Sequence, residues 1–461
     1  MKKLMLLLIA SLLVTGCAKP KTCDVNEGMI CFDENSNQFF IEENASIVVA
    51  VANEEVGLFL RQQWDQIHPD QPGVVDFVVQ DSFDGSTYLN SRPDIALLWS
   101  NEAARLEEWF IPLDKRVEEE ISPTLLSQYG ASINRDQFRF VPMFGYGWVF
   151  SYNRTMLEAM DLDLSDENKD NLPDSLDTFE KLAAINERMP FEYREKNVAT
   201  IFDFNFDDMI LPMAYFGFGN YVPFSSFEAE KPDLDSESFL QVLQALQDLG
   251  SHKWTGFDEQ ELTSSWNFEK YLSESFSPFS MVGTWMYYDA FEELTEQDFG
   301  FSVMPAYQQA QGSPYALSAG YLISRSSPYP NACLEVMRMI RSIEGLEAFA
   351  LLSDQPLLYN YALLEGINDA TEEKIFPELV FKNHNLEEIS RALVYGAEES
   401  MVAFKFNPSV RGWSVFRQAD VYQTMQDVFC QKITAEEAFE QVQNNVAQWM
   451  KKYMPPTEED K

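Results

Sequence analysis

The chain is 461 residues long and carries 74 acidic against 33 basic side chains, a formal net charge of −41. A surface this acidic repels phosphate backbones and offers no basic stripe for counterion release, which argues against nucleic acid and against small anionic ligands. The length can bury a sizeable core and favours two or more domains over one.

In chain order, Met1 to Cys17 set two lysines, an apolar run from Leu4 to Val14 and the ending Val14-Thr15-Gly16-Cys17 in the pattern of a bacterial lipoprotein signal peptide. The run is too short for a permanent membrane span. Residues 1–16 are therefore expected to be removed, leaving Cys17 first. By resemblance to bacterial lipoproteins, the Cys17 thiol takes a diacylglyceryl group, whose two acyl chains would hold the protein at the extracytoplasmic face of the cell membrane more firmly than one. Residues 17–44 are polar and read as the anchor and linker. Cys23 and Cys31 lie close enough in the chain to pair in an oxidising exterior, whereas Cys333 and Cys430, in apolar helical surroundings, are expected to be buried thiols.

Ile47 to Ala52 reads as a strand, and a helix follows with apolar Val56, Phe59, Leu60, Trp64 and Ile67, closed by His68-Pro69. Val74 to Val79 and Ile95 to Trp99 supply the next strands. Strand, helix, strand in this order predicts a βαβ unit with a parallel sheet. Ligands of such sheets sit at the carboxyl ends of strands, here Ala52 to Glu55 and Leu98 to Glu102. The pattern continues with Phe140-Val141-Pro142, an aromatic run through Tyr152-Asn153, and a helix opened by Asp177 with Glu180 three residues later as a capping box. Further helices are predicted over Phe239 to Leu249, Cys333 to Leu351 and Phe439 to Tyr453. The fold class is α/β, and no second apolar run is long enough to cross a membrane.

Asp166 to Asp177, "DENKDNLPDSLD", places Asp166, Asn168, Asp170, Asp174 and Asp177 at loop positions one, three, five, nine and twelve, the spacing of a calcium loop. Asn171 stands where glycine is usual, and Asn tolerates the left-handed backbone needed there. A structural calcium is one reading of this segment and an acidic surface turn the other. No cofactor is required. His68, His252 and His384 show no triad or zinc-ligand spacing, and no spacing singles out a catalytic pair of carboxylates.

Taken together, "HPD", "PDIALLW", "FIPLD", "FRFVPMFGYGWVFSYNRTMLEAM", "DTFEKLAAI", "SMVGTWMYY", "FGFSVMPA", "ALSAGYLIS", "EGLEAFALL" and "ITAEEAF" resemble, in order and spacing, the extracellular solute-binding proteins of ABC importers. The branch is the sugar-binding family 1 that includes maltose-binding protein, and the likeness spans nearly the whole mature chain. Residues 201–227 match it only loosely. The resemblance implies a two-lobed, periplasmic-binding-protein-like type II fold with a hinge and an interlobe cleft. One lobe would comprise residues 45–144 plus 306–362 and the other residues 148–303 plus 363–455, with a tail at 456–461. The hinges would fall at Gly145 to Gly147 and Met304-Pro305.

Sugars present flat C–H faces and rims of hydroxyls, so their sites combine aromatic planes with carboxylates or amides. By resemblance, Trp285 matches the family's stacking tryptophan and Tyr146 a polar cleft residue, while Asn53, Glu54, Glu55, Trp99, Asn101 and Glu102 point into the same space from the first lobe. Glu54 and Glu55 could equally cap the helix that follows. The loosely matched segment offers Phe206 and Asp208, and Trp413 and Phe416 lie where the family adds a late aromatic platform. The implied function is a monomeric, non-enzymatic receptor that delivers a carbohydrate, by expectation an oligosaccharide, to an ABC permease. A polyamine or other cationic solute on the same scaffold is the alternative, and a secreted glycosidase is the reading from a different class.

Overall fold

The structure is a computed structural model that describes residues 28–131, 133–167, 171–198, 200–202, 211–224, 231–252, 268–312, 316–360, 379–400 and 414–453, with Cys23, Val25, Phe204, Phe206, Ala229 and Trp254. Its strands are β1 (Phe32–Asp33), β2 (Gln38–Phe39), β3 (Ile47–Val51), β4 (Val75–Val79), β5 (Ile95–Trp99), β6 (Val141–Asn153), β7 (Glu192–Tyr193), β8 (Lys196–Asn197), β9 (Phe279–Gly283), β10 (Phe299–Ser302), β11 (Ala306–Tyr307), β12 (Ala310–Gln311) and β13 (Ala316–Ile323). Seven of them form one sheet in the order β10-β6-β13-β5-β3-β4, with β9 also paired to β6.

The predicted βαβ unit is present. β3 runs parallel to both β4 and β5, and the helix Glu54–Ile67 connects β3 to β4. That helix forms where the apolar period demands it, burying Val56, Leu60 and Trp64. Asn53 starts it, its Oδ1 accepting the Val56 N–H at 3.0 Å, and the exposed Glu54 and Glu55 lie in the first turn, where the helix dipole favours acids. β5 shows what burial on both faces requires. Its alternate residues Ile95 and Leu97 enter the large core, while Ala96 and Leu98 enter a smaller one with Tyr88, Phe110, Phe140 and Leu322.

β6 is the long member. Val141 to Gly147 pair with β13, and Trp148 to Tyr152 pair with β9, so the partner changes between Gly147 and Trp148. β10 joins the same far end, from Phe150 to Asn153. Residues 145–147, expected as a crossing, thus lie inside a continuous strand at the point where its partners change.

Two sequence expectations need correction. The helix predicted over Cys333 to Leu351 is two helices, Pro330–Arg341 and Ile343–Leu352, broken at extended Ser342, whose Oγ accepts the Gly345 N–H at 3.1 Å. A Cβ on Gly345 would meet the Ile340 carbonyl at 2.7 Å, so glycine permits the tight junction. The helix expected to open at Asp177 is capped by Thr178 instead, which accepts the Lys181 N–H at 3.3 Å. Cys23 and Cys31 form a disulfide; Cys333 is buried and Cys430 is only half-buried.

Part of the segment read as linker is folded onto the body. The Cys31 N–H donates to Asn331 Oδ1 at 2.7 Å, the Phe39 N–H to Glu335 Oε2 at 3.2 Å, and Glu42 Oε1 accepts the Asn331 N–H at 2.7 Å. Among the described residues no helix is long and apolar enough to cross a membrane.

Candidate functional site

At the carboxyl end of β5, Trp99 begins an aromatic row that runs across β6 to the turn after β9. Its ring centroid lies 5.0 Å from that of Phe83 and 4.8 Å from that of Tyr146. Tyr146 stacks on Trp285 at 4.8 Å with 23° between planes, and Trp148 meets Trp285 edge-on at 5.1 Å. Tyr146 and Trp148 reach the same ring because residues two apart on a strand share a face. The ends of the row, Phe83 and Trp148, are buried, while Trp99, Tyr146 and Trp285 are half-buried. The row is thus held at both ends and open to solvent in its middle.

The chain fixes Trp285 in two ways. Gly147 and Thr284 are tied across the strand ends, Thr284 N–H to the Gly147 carbonyl at 2.9 Å and Gly147 N–H to Thr284 Oγ1 at 3.1 Å. Gly283 leaves the space into which the indole folds back, since a Cβ there would lie 2.5 Å from Trp285 Cε2 and Cη2. Burial raises the Tyr146 hydroxyl above the ordinary phenol range, so it meets a ligand as a neutral donor or acceptor.

The structure therefore brings together Trp99, Tyr146 and Trp285 of the predicted site. Phe83 and Trp148 were missed, although the i, i+2 spacing of Tyr146 and Trp148 on a predicted strand carried the signal. Tyr287, two residues after Trp285, is 78% exposed and was also missed.

The polar candidates have local partners. Asn53 caps its helix and donates from Nδ2 to the Leu352 carbonyl at 2.9 Å; Asn101 Oδ1 accepts the Glu102 N–H at 2.9 Å. Glu102 accepts the Gly85 N–H at 3.0 Å and pairs with Arg105. Phe206 and Phe416 are not brought to the row: they are 2% and 1% exposed, packed on Tyr215 and Phe429 and on Phe216 and Tyr422 respectively. In this structure they are core. Asp208, Trp413 and Cys17 lie outside the described residues.

Of the candidate calcium loop, Asn168 and Asp170 lie outside the described residues. Asp166 Oδ2 accepts the Asn171 N–H at 2.9 Å, Asp174 Oδ2 the Glu167 N–H at 3.3 Å, and Asp177 Oδ2 pairs with Lys181 at 2.9 Å. Asn171 adopts φ +71°, the left-handed backbone expected at its loop position.

No family model and no curated protein matches the sequence. Solved structures do match. The maltose-binding periplasmic protein MalE from Listeria monocytogenes, in complex with maltose, is similar with a TM-score of 0.62 at 14% identity, over 88% of this chain and 99% of that one. An extracellular solute-binding protein from Staphylococcus aureus in complex with maltose gives 0.62 at 13% identity, over 90% and 100%. A cyclo/maltodextrin-binding protein complexed with maltotetraose gives 0.60 at 13% identity, over 89% and 99%. The chain has the two-lobed α/β fold of these periplasmic and extracellular binding proteins.

Proposed function

We propose that this protein is an extracytoplasmic solute receptor that captures a carbohydrate, an oligosaccharide by preference, between its lobes and delivers it to an ABC permease without chemically altering it. The observation that carries the reading is the row Phe83-Trp99-Tyr146-Trp285-Trp148. It spans the point where β6 exchanges partners, in a fold shared with proteins solved in complex with maltose and maltotetraose. Half-buried rings in sequence suit the successive apolar faces of a saccharide. Residues 45–144 with 306–362, and 148–303 with 363–455, are the two jaws of this reading, and a lipid on Cys17 is its tether.

The test is a thermal-shift screen of the untagged protein with maltose, maltotetraose, other mono- and oligosaccharides, and spermidine. A ligand that binds only the folded state adds about 2.7 kcal/mol at a hundred times its Kd. Stabilisation by a saccharide that persists in high salt is expected. Stabilisation by spermidine alone, abolished by salt, would replace the carbohydrate reading with a cationic-solute receptor, and release of reducing ends with time would make the protein a glycosidase.

A further inference from the structure

His384, which sequence spacing left without ligand partners, meets carboxylates from two other segments. It is the first residue of the helix His384–Ser400. Glu292 projects from the helix Tyr288–Thr295, and Asp298 immediately precedes β10. One ligand atom from each of the three lies within 4.8 Å of the other two, and His384 Nε2 is 3.5 Å from Glu292 Oε1. Around a tetrahedral zinc with bonds of about 2.1 Å, neighbouring ligand atoms stand about 3.4 Å apart. The His384–Glu292 separation already matches, and Asp298 and His384, with side chains 55% and 56% exposed, can swing the remainder.

The surroundings are built to hold these groups. Asn383 Oδ1 accepts the Leu386 N–H at 2.9 Å while its Nδ2 donates to Asp289 Oδ2 at 2.9 Å, which fixes the turn presenting His384. Glu292 Oε1 accepts the Phe299 N–H at 3.1 Å. Asn385, 2% exposed, presses its carboxamide into the cluster, Nδ2 donating to Glu292 Oε2 at 3.0 Å and to Asp289 Oδ1 at 3.4 Å. Its Oδ1 is buried without a partner, an acceptor that its protein surroundings leave unsatisfied. Asp298 also pairs with Arg154 at 2.9 Å, and the same guanidinium meets Glu388 at 2.5 Å. Each carboxylate offers about four lone-pair positions, so these hydrogen bonds leave room for a cation.

We propose that Glu292, Asp298 and His384 form a binding site for a divalent transition metal of the zinc class, with water completing the coordination. The imidazole decides the class: hard cations such as calcium and magnesium take oxygen ligands, whereas zinc, nickel and copper accept nitrogen beside carboxylate. The metal pins the start of a helix whose later residues serve the other half of the molecule, where Ser390 Oγ accepts the Leu357 N–H at 3.0 Å and the Leu393 carbonyl accepts Tyr129 Oη at 2.7 Å. This assignment does not rest on the carbohydrate reading.

The test is calorimetric titration of the untagged full chain with Zn²⁺ in a non-chelating buffer near neutral pH, paralleled by Co²⁺ as a spectroscopic substitute. One Zn²⁺ per chain with micromolar affinity, and a raised melting temperature, is the expected result. His384→Gln and, independently, Asp298→Asn should each weaken the binding at least tenfold and abolish the cobalt signal, with unchanged circular dichroism, while His252→Gln leaves both intact. Absence of saturable one-to-one binding would overturn the proposal, as would Zn²⁺ binding of equal strength in the His384→Gln and Asp298→Asn proteins.

Discussion

Trp285 occupies its place because Gly283 has no side chain, and its upper face is taken by Tyr146. Trp285→Ala is expected to weaken saccharide binding more than tenfold, about 1.4 kcal/mol, with the thermal melt of the unliganded protein little changed, as calorimetric titration would show. Its legibility in the sequence came from the flanking "GTWMYY", which fixed its register. Phe206 and Phe416 had no such frame, and a phenylalanine reads the same whether it lines a cleft or fills a core; only the packing around Tyr215, Phe429 and Phe216 separates the two. His384 was illegible for the opposite reason, since its partners are nearly ninety or more positions away and no local spacing records them.

His68 carries a pH dependence. Burial first, and then repulsion from Arg338, hold its imidazole below the ordinary 6.5; its ring packs tilted on Trp64 at 4.3 Å, and its Nε2 makes no hydrogen bond but lies 3.9 Å from Glu335 Oε1. Below pH 6.5 the unfolded chain accepts a proton that folded His68 resists, so this residue's contribution falls as the pH drops from 6.5 toward the folded value. His68→Phe, which keeps a ring on Trp64, should flatten that limb of the stability curve measured by urea melts across pH. Glu335, raised by burial, acts in the opposite direction at lower pH, and comparison of the two proteins isolates the histidine.

At the scale of the element, β6 couples the two halves through its backbone. Gly145 pairs with Ser318, donates its N–H to the Pro356 carbonyl at 2.9 Å, and lies so close to Leu393 and Leu358 that a Cβ would crowd both side chains, the latter at 3.1 Å. Gly145→Val should therefore destabilise the protein by about 1–3 kcal/mol through overpacking, measured by chemical denaturation. The βαβ opening was legible because β-branched runs and the 3.6-residue period leave little choice over so short a stretch. The break at Ser342 was not, because Cys333 to Leu351 keeps an apolar pattern through it; only the approach of Gly345 to Ile340 marks the turn.

For the whole molecule, the net charge of −41 sets an expectation about salt. Binding of a neutral saccharide by stacked rings leaves the charge balance unchanged, so its thermal shift should be indifferent to ionic strength, while a cation held by acids would lose its grip as the Debye length contracts. The fold emerged from many short segments in order, each weak alone. The polar rim of the site did not, because Asn53 and Glu102 are spent on capping and pairing that a chain of letters does not display.

The bolting of residues 31–42 to the helix Pro330–Arg341 decides where a pull on the chain ahead of it is felt. Tension on any leash attached ahead of Cys23 passes through the Cys23–Cys31 bridge and the Glu42–Asn331 bonds into the half built on β3, β4 and β5. That half takes the load directly, while β9 and β10 join its sheet through β6.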